Sequence, residues 1–175
     1  MQFKNLNENY IRVYDDVIPK LMCEHMIEEF EKNEDQFDKQ TLKGHRSFTQ
    51  ITLQQYANWK PYQDNLQYAF NSCIDKYMED CDITNKMFPE QYAYEMYRMK
   101  RYEPNGVDEF HDHVDVGNYA SARRFLVFFL YLNEPEGGET DFPQREVSVS
   151  PKAGSMLMFP PMWTHLHAGR KVTGD

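Results

Sequence analysis

The chain has 175 residues, of which 41% are hydrophobic and 15% aromatic, and its formal net charge is −9. Length and apolar content suit one globular domain over residues 1–175 with a sizeable core, and they exclude a disordered chain. The acidic balance repels phosphate backbones, so no nucleic-acid partner is expected. Any local basic patch near the candidate site described below would have to draw on Lys100, Arg101, Arg123 and Arg124.

Residues 1–10 are polar, with no apolar signal-peptide core, and no later stretch is apolar enough to span a bilayer. The three cysteines, Cys23, Cys73 and Cys81, are odd in number and lack CxxC spacing. Together these features predict a soluble cytoplasmic protein with free thiols and no membrane partner. Residues 10–17 read as a short strand. Pro19 suits the first turn of a helix over 19–32, where Met22, Cys23, Met26, Ile27 and Phe30 make one apolar stripe. Residues 33–44 are polar and read as a loop, and residues 48–53 as a strand. Tyr62, Leu66, Ala69, Phe70, Cys73, Ile74 and Tyr77 recur at helical spacing and predict a second helix over 61–79. A single stripe on each helix places both on one face of a sheet.

From Gln91 the period changes to two, which predicts a strand through 91–100. Residues 102–109 are turn-rich, and 110–116 read as a strand. Residues 125–132 are apolar on both faces and predict a central, doubly covered strand. A turn over 134–139 and short strands at 147–149 and 155–159 follow, and Pro160-Pro161 interrupts before 163–167. Helices early and strands late predict an α+β, mainly β domain, with an N-terminal part, 1–90, and a core, 91–175, whose strands form a β-sandwich that the two helices buttress.

Four of the six histidines, His111, His113, His165 and His167, fall late in the chain. His113-Val114-Asp115 with the distant His167 supplies two imidazoles and one carboxylate. This is the ligand set of a facial triad for non-haem Fe(II), which leaves positions open for oxygen and a cosubstrate. On an extended strand, residues i and i+2 share a face, so His113 and Asp115 can reach one metal together. The third ligand then comes from another strand that folds back.

Four words in order carry a resemblance: YEPNGVDEFHDHVD, RFLVFFLYLNEPEGGETDFP, VSVSPKAGSMLMFP and HAGRKVTGD, spanning 102–174. They resemble the 2-oxoglutarate and Fe(II)-dependent oxygenases of the prolyl 4-hydroxylase-like branch. The resemblance implies a double-stranded β-helix, a jelly roll, buttressed by the two helices. It implies His113, Asp115 and His167 as catalytic iron ligands, with Fe(II), 2-oxoglutarate as cosubstrate and ascorbate as an optional addition. Tyr102, Tyr131 and Thr140 match positions near the far carboxylate of 2-oxoglutarate, where hydroxyls donate; the tyrosines also suit an ordinary β-core. His167 is preferred over His165 because Ala168-Gly169 and Val172-x-Gly174 follow it. His165 then lies beside the ligands or is a structural histidine. Arg124, leading the apolar strand, serves the substrate side or the scaffold.

The family places a basic residue for the far carboxylate just past the Val-x-Gly word. It is expected beyond Asp175, in a final strand that the sequence does not reach, unless Arg170 or Lys171 substitutes. The 175-residue form is accordingly expected to bind 2-oxoglutarate weakly. The activity implied is hydroxylation of an unactivated C–H with release of succinate and CO₂, on a proline-containing peptide or protein. The alternatives are the same chemistry on a free amino acid or other small molecule, and a non-catalytic, cupin-like metal-binding module.

Overall fold

The structure, a computed structural model, describes residues 10–174. The polar stretch 1–9 considered above lies outside the described residues. In chain order the elements are β1 (Arg12–Tyr14), α1 (Lys20–Lys32), β2 (Asp38–Leu42), β3 (Arg46–Thr52) and α2 (Lys60–Asp80). Next come β4 (Arg98–Arg101), β5 (Glu109–His113), β6 (Val127–Leu130), β7 (Glu136–Gly137), β8 (Thr140–Phe142) and β9 (Val147–Val149). The chain ends in β10 (Met156–Phe159), β11 (His167–Gly169) and β12 (Val172–Gly174).

Both helices sit where their apolar stripes place them. Cys23, Met26 and Phe30 of α1 are buried, as are Leu66, Ala69, Phe70, Cys73, Ile74 and Tyr77 of α2. Fully burying one such large apolar side chain contributes about 1.5–3 kcal/mol, far more than helix propensity supplies per residue. Among the described residues, no helix is long and apolar enough to cross a membrane.

Every strand pairing is antiparallel. A three-stranded sheet runs β1-β10-β6, and a larger one runs β2-β3-β5-β11-β8-β9, with β4 also on β3; β7 and β12 form a separate pair. Strand alternation on β10 divides the core in two. Met156 and Met158 pack outward with α1, α2, Phe128 and Leu130. Leu157 and Phe159 point inward and meet Phe129 of β6, Phe142 of β8 and Val147 and Val149 of β9. The inner faces of the two sheets therefore close on each other, giving the double-stranded β-helix that the resemblance implied.

Several local expectations are corrected. Residues 91–97 form no strand; Tyr94 and Tyr97 pack instead against α2, with Tyr97 edge-on to Phe70 at 5.1 Å. The supposed loop 33–44 contains β2, an edge strand paired with β3 along its whole length. Its sequence, DKQTL, is exposed on nearly every residue, so no hydrophobic alternation announces it. The apolar strand β6 is covered on both faces but lies at the edge of its sheet, and β10 takes the centre.

Candidate metal centre and active site

β11 lies between β5 and β8, and the β5–β11 register sets His167 directly opposite His113. The same ladder then pairs Gly169 with Phe110, so β5 spends one more residue than β11 across this interval. That bulge re-aims side chains, as bulges near active sites commonly do. It turns Phe110 to the same side as His113, where the two rings stack with centroids 3.6 Å apart. Asp115 does not share the strand with His113, contrary to the sequence expectation, because β5 ends at His113. Asp115 lies in the following bend, held by its own N–H donating to Pro161 O (3.0 Å) and by Arg124 Nη1 donating to its carbonyl (2.9 Å). Glu95 holds the Arg124 fork at 2.7 and 3.0 Å. Arg124 thus positions the carboxylate through the backbone.

The three residues converge. His113, Asp115 and His167 each offer one ligand atom, and these atoms lie within 4.8 Å of one another. The histidines are oriented alike. His113 Nδ1–H donates to the carbonyl of His111 (2.7 Å) and His167 Nδ1–H to that of His165 (3.0 Å). A carbonyl only accepts, so each Nδ1 carries the proton and each Nε2 keeps a lone pair for the shared point. His167 Nε2 is buried with no hydrogen-bond partner. An orphaned buried acceptor is costly, and a divalent cation would satisfy it. Burial, then the neighbouring His113, lowers the His167 pKa to about 4, which keeps the ring neutral and ligating. Burial opposes the charge of Asp115. The adjoining His113 and His167 and the Lys100 ammonium outweigh it and hold the carboxyl below its ordinary range. The donor set therefore fits an Fe(II)-sized divalent ion.

His165 is buried, with its Nδ1 2.8 Å from Thr164 Oγ1, and it lies outside the converging set. Asp112 turns to Arg170. The hydroxyls of Tyr131 and Thr140 meet at 2.7 Å. Thr140 pairs in the ladder with Gly169, and the Tyr102 hydroxyl lies 3.9 Å from where a side chain on Gly169 would begin. All three predicted hydroxyls thus gather around one rung. Burial raises both tyrosine pKa values, that of Tyr131 to about 12, so both remain donors at neutral pH. Gly137 enables the turn into Thr140: its φ is +79°, and a Cβ there would sit 2.6 Å from Lys171 O. Neither basic substitute for the far carboxylate is available. Arg170 is engaged by Asp112 and Asp141, and Lys171 by Gly106 O and Glu109.

Sequence reasoning missed the Phe110 stack and the Glu95–Arg124 hold on Asp115, because both depend on the bulge and the bend. Cavity shape is no guide either. An apolar hollow of about 310 Å³ lined by Tyr77, Met87, Phe88 and Phe125 lies away from the three ligands.

A family model for the 2OG-Fe(II) oxygenase superfamily matches residues 97–175. No curated protein matches the sequence. Three solved structures resemble the chain. The viral collagen prolyl hydroxylase of Paramecium Bursaria Chlorella virus-1, in its 2OG complex, gives a TM-score of 0.73 at 21% identity, covering 95% of this chain and 90% of that one. A Pseudomonas putida prolyl-4-hydroxylase gives 0.63 at 16%, covering 95% and 88%. A Trichoplax adhaerens prolyl hydroxylase, in complex with a hypoxia inducible factor oxygen degradation domain peptide fragment, gives 0.71 at 14%, covering 96% and 80%. A double-stranded β-helix gathering two imidazoles and a carboxylate has the donor set that non-haem iron oxygenases use. The match to the 2OG-Fe(II) oxygenase superfamily lies in residues 97–175, and the fold of the whole chain is prolyl 4-hydroxylase-like.

Proposed function

We propose that this dioxygenase, read as one domain over 1–175, hydroxylates a prolyl residue in a peptide or protein. His113, Asp115 and His167 are its iron ligands, and Tyr102, Tyr131 and Thr140 are donors to the far carboxylate of 2-oxoglutarate. The observation that carries this reading is the convergence of the three ligand atoms with both Nε2 lone pairs directed by Nδ1–H bonds. Bound Fe(II) and 2-oxoglutarate supply the oxidation: one oxygen atom of O₂ enters the C–H, the other enters succinate, and CO₂ leaves.

The protein's own residues bind, orient and shield. The backbone carbonyls of His111 and His165 fix the imidazole tautomers. Arg124 fixes the bend that carries Asp115. The Tyr131 and Thr140 hydroxyls, already in contact, preorganise donors for an anion. Phe110, Phe142 and Phe159 surround the imidazoles and exclude water from that side. Three solved structures of similar fold, each a prolyl hydroxylase, support proline as the target. The free thiols of Cys23, Cys73 and Cys81 support a cytoplasmic setting.

The test incubates the protein with Fe(II), 2-oxoglutarate and a proline-rich peptide library. Mass spectrometry should find one added oxygen on proline, matched by succinate. Succinate formation driven only by non-proline substrates would overturn the prolyl assignment.

A further inference from the structure

We propose that Arg46 and Lys100 form a carboxylate-receiving subsite on the inner wall of the barrel, one aromatic ring away from His113. Arg46 and Phe48 lie on the same face of β3 by alternation, as do Lys100 and Tyr102 along and just beyond β4. The Phe48 ring touches those of Tyr102 and Phe110, with centroids 5.3 and 5.7 Å apart. The Lys100 ammonium rests over Phe48 at 4.7 Å and over Phe110 at 5.3 Å, and Phe110 is the ring stacked on His113. Both cations therefore flank an aromatic wall that ends at a proposed iron ligand.

What sets this pair apart is the lack of acidic partners. Nearby, Arg98 and Arg124 pair with Glu95, Arg101 with Glu31 and Glu103, Arg170 with Asp112 and Asp141, and Lys171 with Glu109. Among the described residues, Arg46 and Lys100 join no ion pair. Arg46 donates from Nη2 to the neutral Gln40 Oε1 (2.9 Å), and its Nε is buried with no partner at all. Leaving the buried Arg46 Nε without an acceptor is costly, and an arriving anion would satisfy it.

Lys100 is open to solvent while its ammonium rests over the Phe48 and Phe110 rings. Desolvation is the main cause that lowers its pKa to about 8; Arg98, Arg46 and Arg124 push the same way, and Asp115 opposes them. An anion bound here would relieve that repulsion. With Arg170 and Lys171 occupied elsewhere, these two residues are placed to receive a carboxylate from one of two sources: the far end of 2-oxoglutarate, or an acidic group on the substrate. Only this choice of source rests on the oxygenase reading.

Three measurements test the subsite on wild type, Lys100→Met, Lys100→Arg and Arg46→Gln, with circular dichroism confirming the fold. The first titrates Mn(II)-loaded protein with 2-oxoglutarate and with 2-oxopentanoate, which keeps the chelating keto acid but lacks the far carboxylate. If the cosubstrate is the source, Lys100→Met and Arg46→Gln weaken 2-oxoglutarate by roughly tenfold to a hundredfold, the worth of a hydrogen bond to a charged group. Binding of 2-oxopentanoate stays unchanged, and Lys100→Arg retains most of the preference. The second compares turnover of proline peptides bearing a neighbouring Glu or Gln. If the substrate is the source, the variants lose a preference for Glu while 2-oxoglutarate affinity holds.

The third needs neither metal nor activity. Acetylation of Lys100 by an N-hydroxysuccinimide ester, read by mass spectrometry, should slow when glutarate is added to wild type but not to Arg46→Gln. If wild type binds no 2-oxoglutarate, the oxygenase reading fails, and this footprint alone judges the subsite: protection supports it, and equal rates with and without glutarate overturn it. Silence in all three measurements overturns it outright.

Discussion

The two faces of β10 show how one strand serves two purposes. Met156 and Met158 face outward into a large cluster with Phe30, Trp59, Phe70 and Tyr77. Leu157 and Phe159 face inward into a smaller cluster, where the Phe159 ring meets His167 edge-on at 4.7 Å. The outer cluster is deep and apolar, and it carries the stability of the helix-on-sheet packing. The inner one is thinner and passes directly into imidazoles, hydroxyls and unpaired cations. Damage to the two faces should therefore separate cleanly: losses outside appear as stability and losses inside as chemistry.

The sharpest test of that separation is Asp115→Ala. It removes the one carboxylate of the converging set and, with it, an anionic ligand for a +2 ion. Succinate formation should be abolished while the circular dichroism spectrum is preserved. Undiminished turnover would move the carboxylate role to another residue, although Asp112 is already turned to Arg170.

On the outer face, Phe30→Ala should cost about 3–5 kcal/mol, the usual range for truncating a buried Phe, read from the urea midpoint. Once folded, the variant should bind 2-oxoglutarate as wild type does. A large loss of affinity in the folded variant would erase the distinction between the faces.

The inner face should instead announce itself through pH. In the metal-free protein, His167 takes up a proton only near pH 4, whereas an unfolded histidine does so near 6.5. Between those values the unfolded state binds more protons, so stability present above pH 6.5 is lost as pH falls towards 4. The total amounts to roughly 3 kcal/mol at about 1.4 kcal/mol per unit. Urea unfolding of metal-free protein at several pH values measures it. A His167→Gln variant should flatten this slope, and an unchanged slope would assign it elsewhere.

The smallest expected effect is Tyr131→Phe, which leaves the ring and removes the hydroxyl that meets Thr140 at 2.7 Å. Losing one neutral donor should weaken 2-oxoglutarate by about two- to tenfold, equivalent to about 0.5–1.5 kcal/mol. Titration with Mn(II)-loaded protein reads it, and no change would return Tyr131 to the β-core role that its burial also suits.

The two helices were legible because each carries an apolar stripe at a 3.6-residue period, and burial is what that period encodes. The convergence of His113, Asp115 and His167 was legible because few residue types bind divalent metals and the words around them come in order. β2 was not legible, since DKQTL has no apolar face and forms only because β3 offers it an edge. The tyrosine-rich stretch 91–97 misled in the opposite sense: alternation was present, but its rings are spent against α2 rather than in a ladder.

By itself the sequence determined the helices, the general β-helical character of the second half and which imidazoles and carboxylate converge. These follow from residue chemistry and local period, which are properties of the chain before it folds. Tertiary structure alone decided that Asp115 lies beyond its strand, that a bulge stacks Phe110 on His113, and that Arg170 and Lys171 are already engaged. It also decided that Arg46 and Lys100 share a wall without an acid between them. Each of these depends on the register between strands far apart in sequence. A one-residue slip in that register would turn the strand residues among them, Arg46, Lys100 and Phe110, to the opposite face.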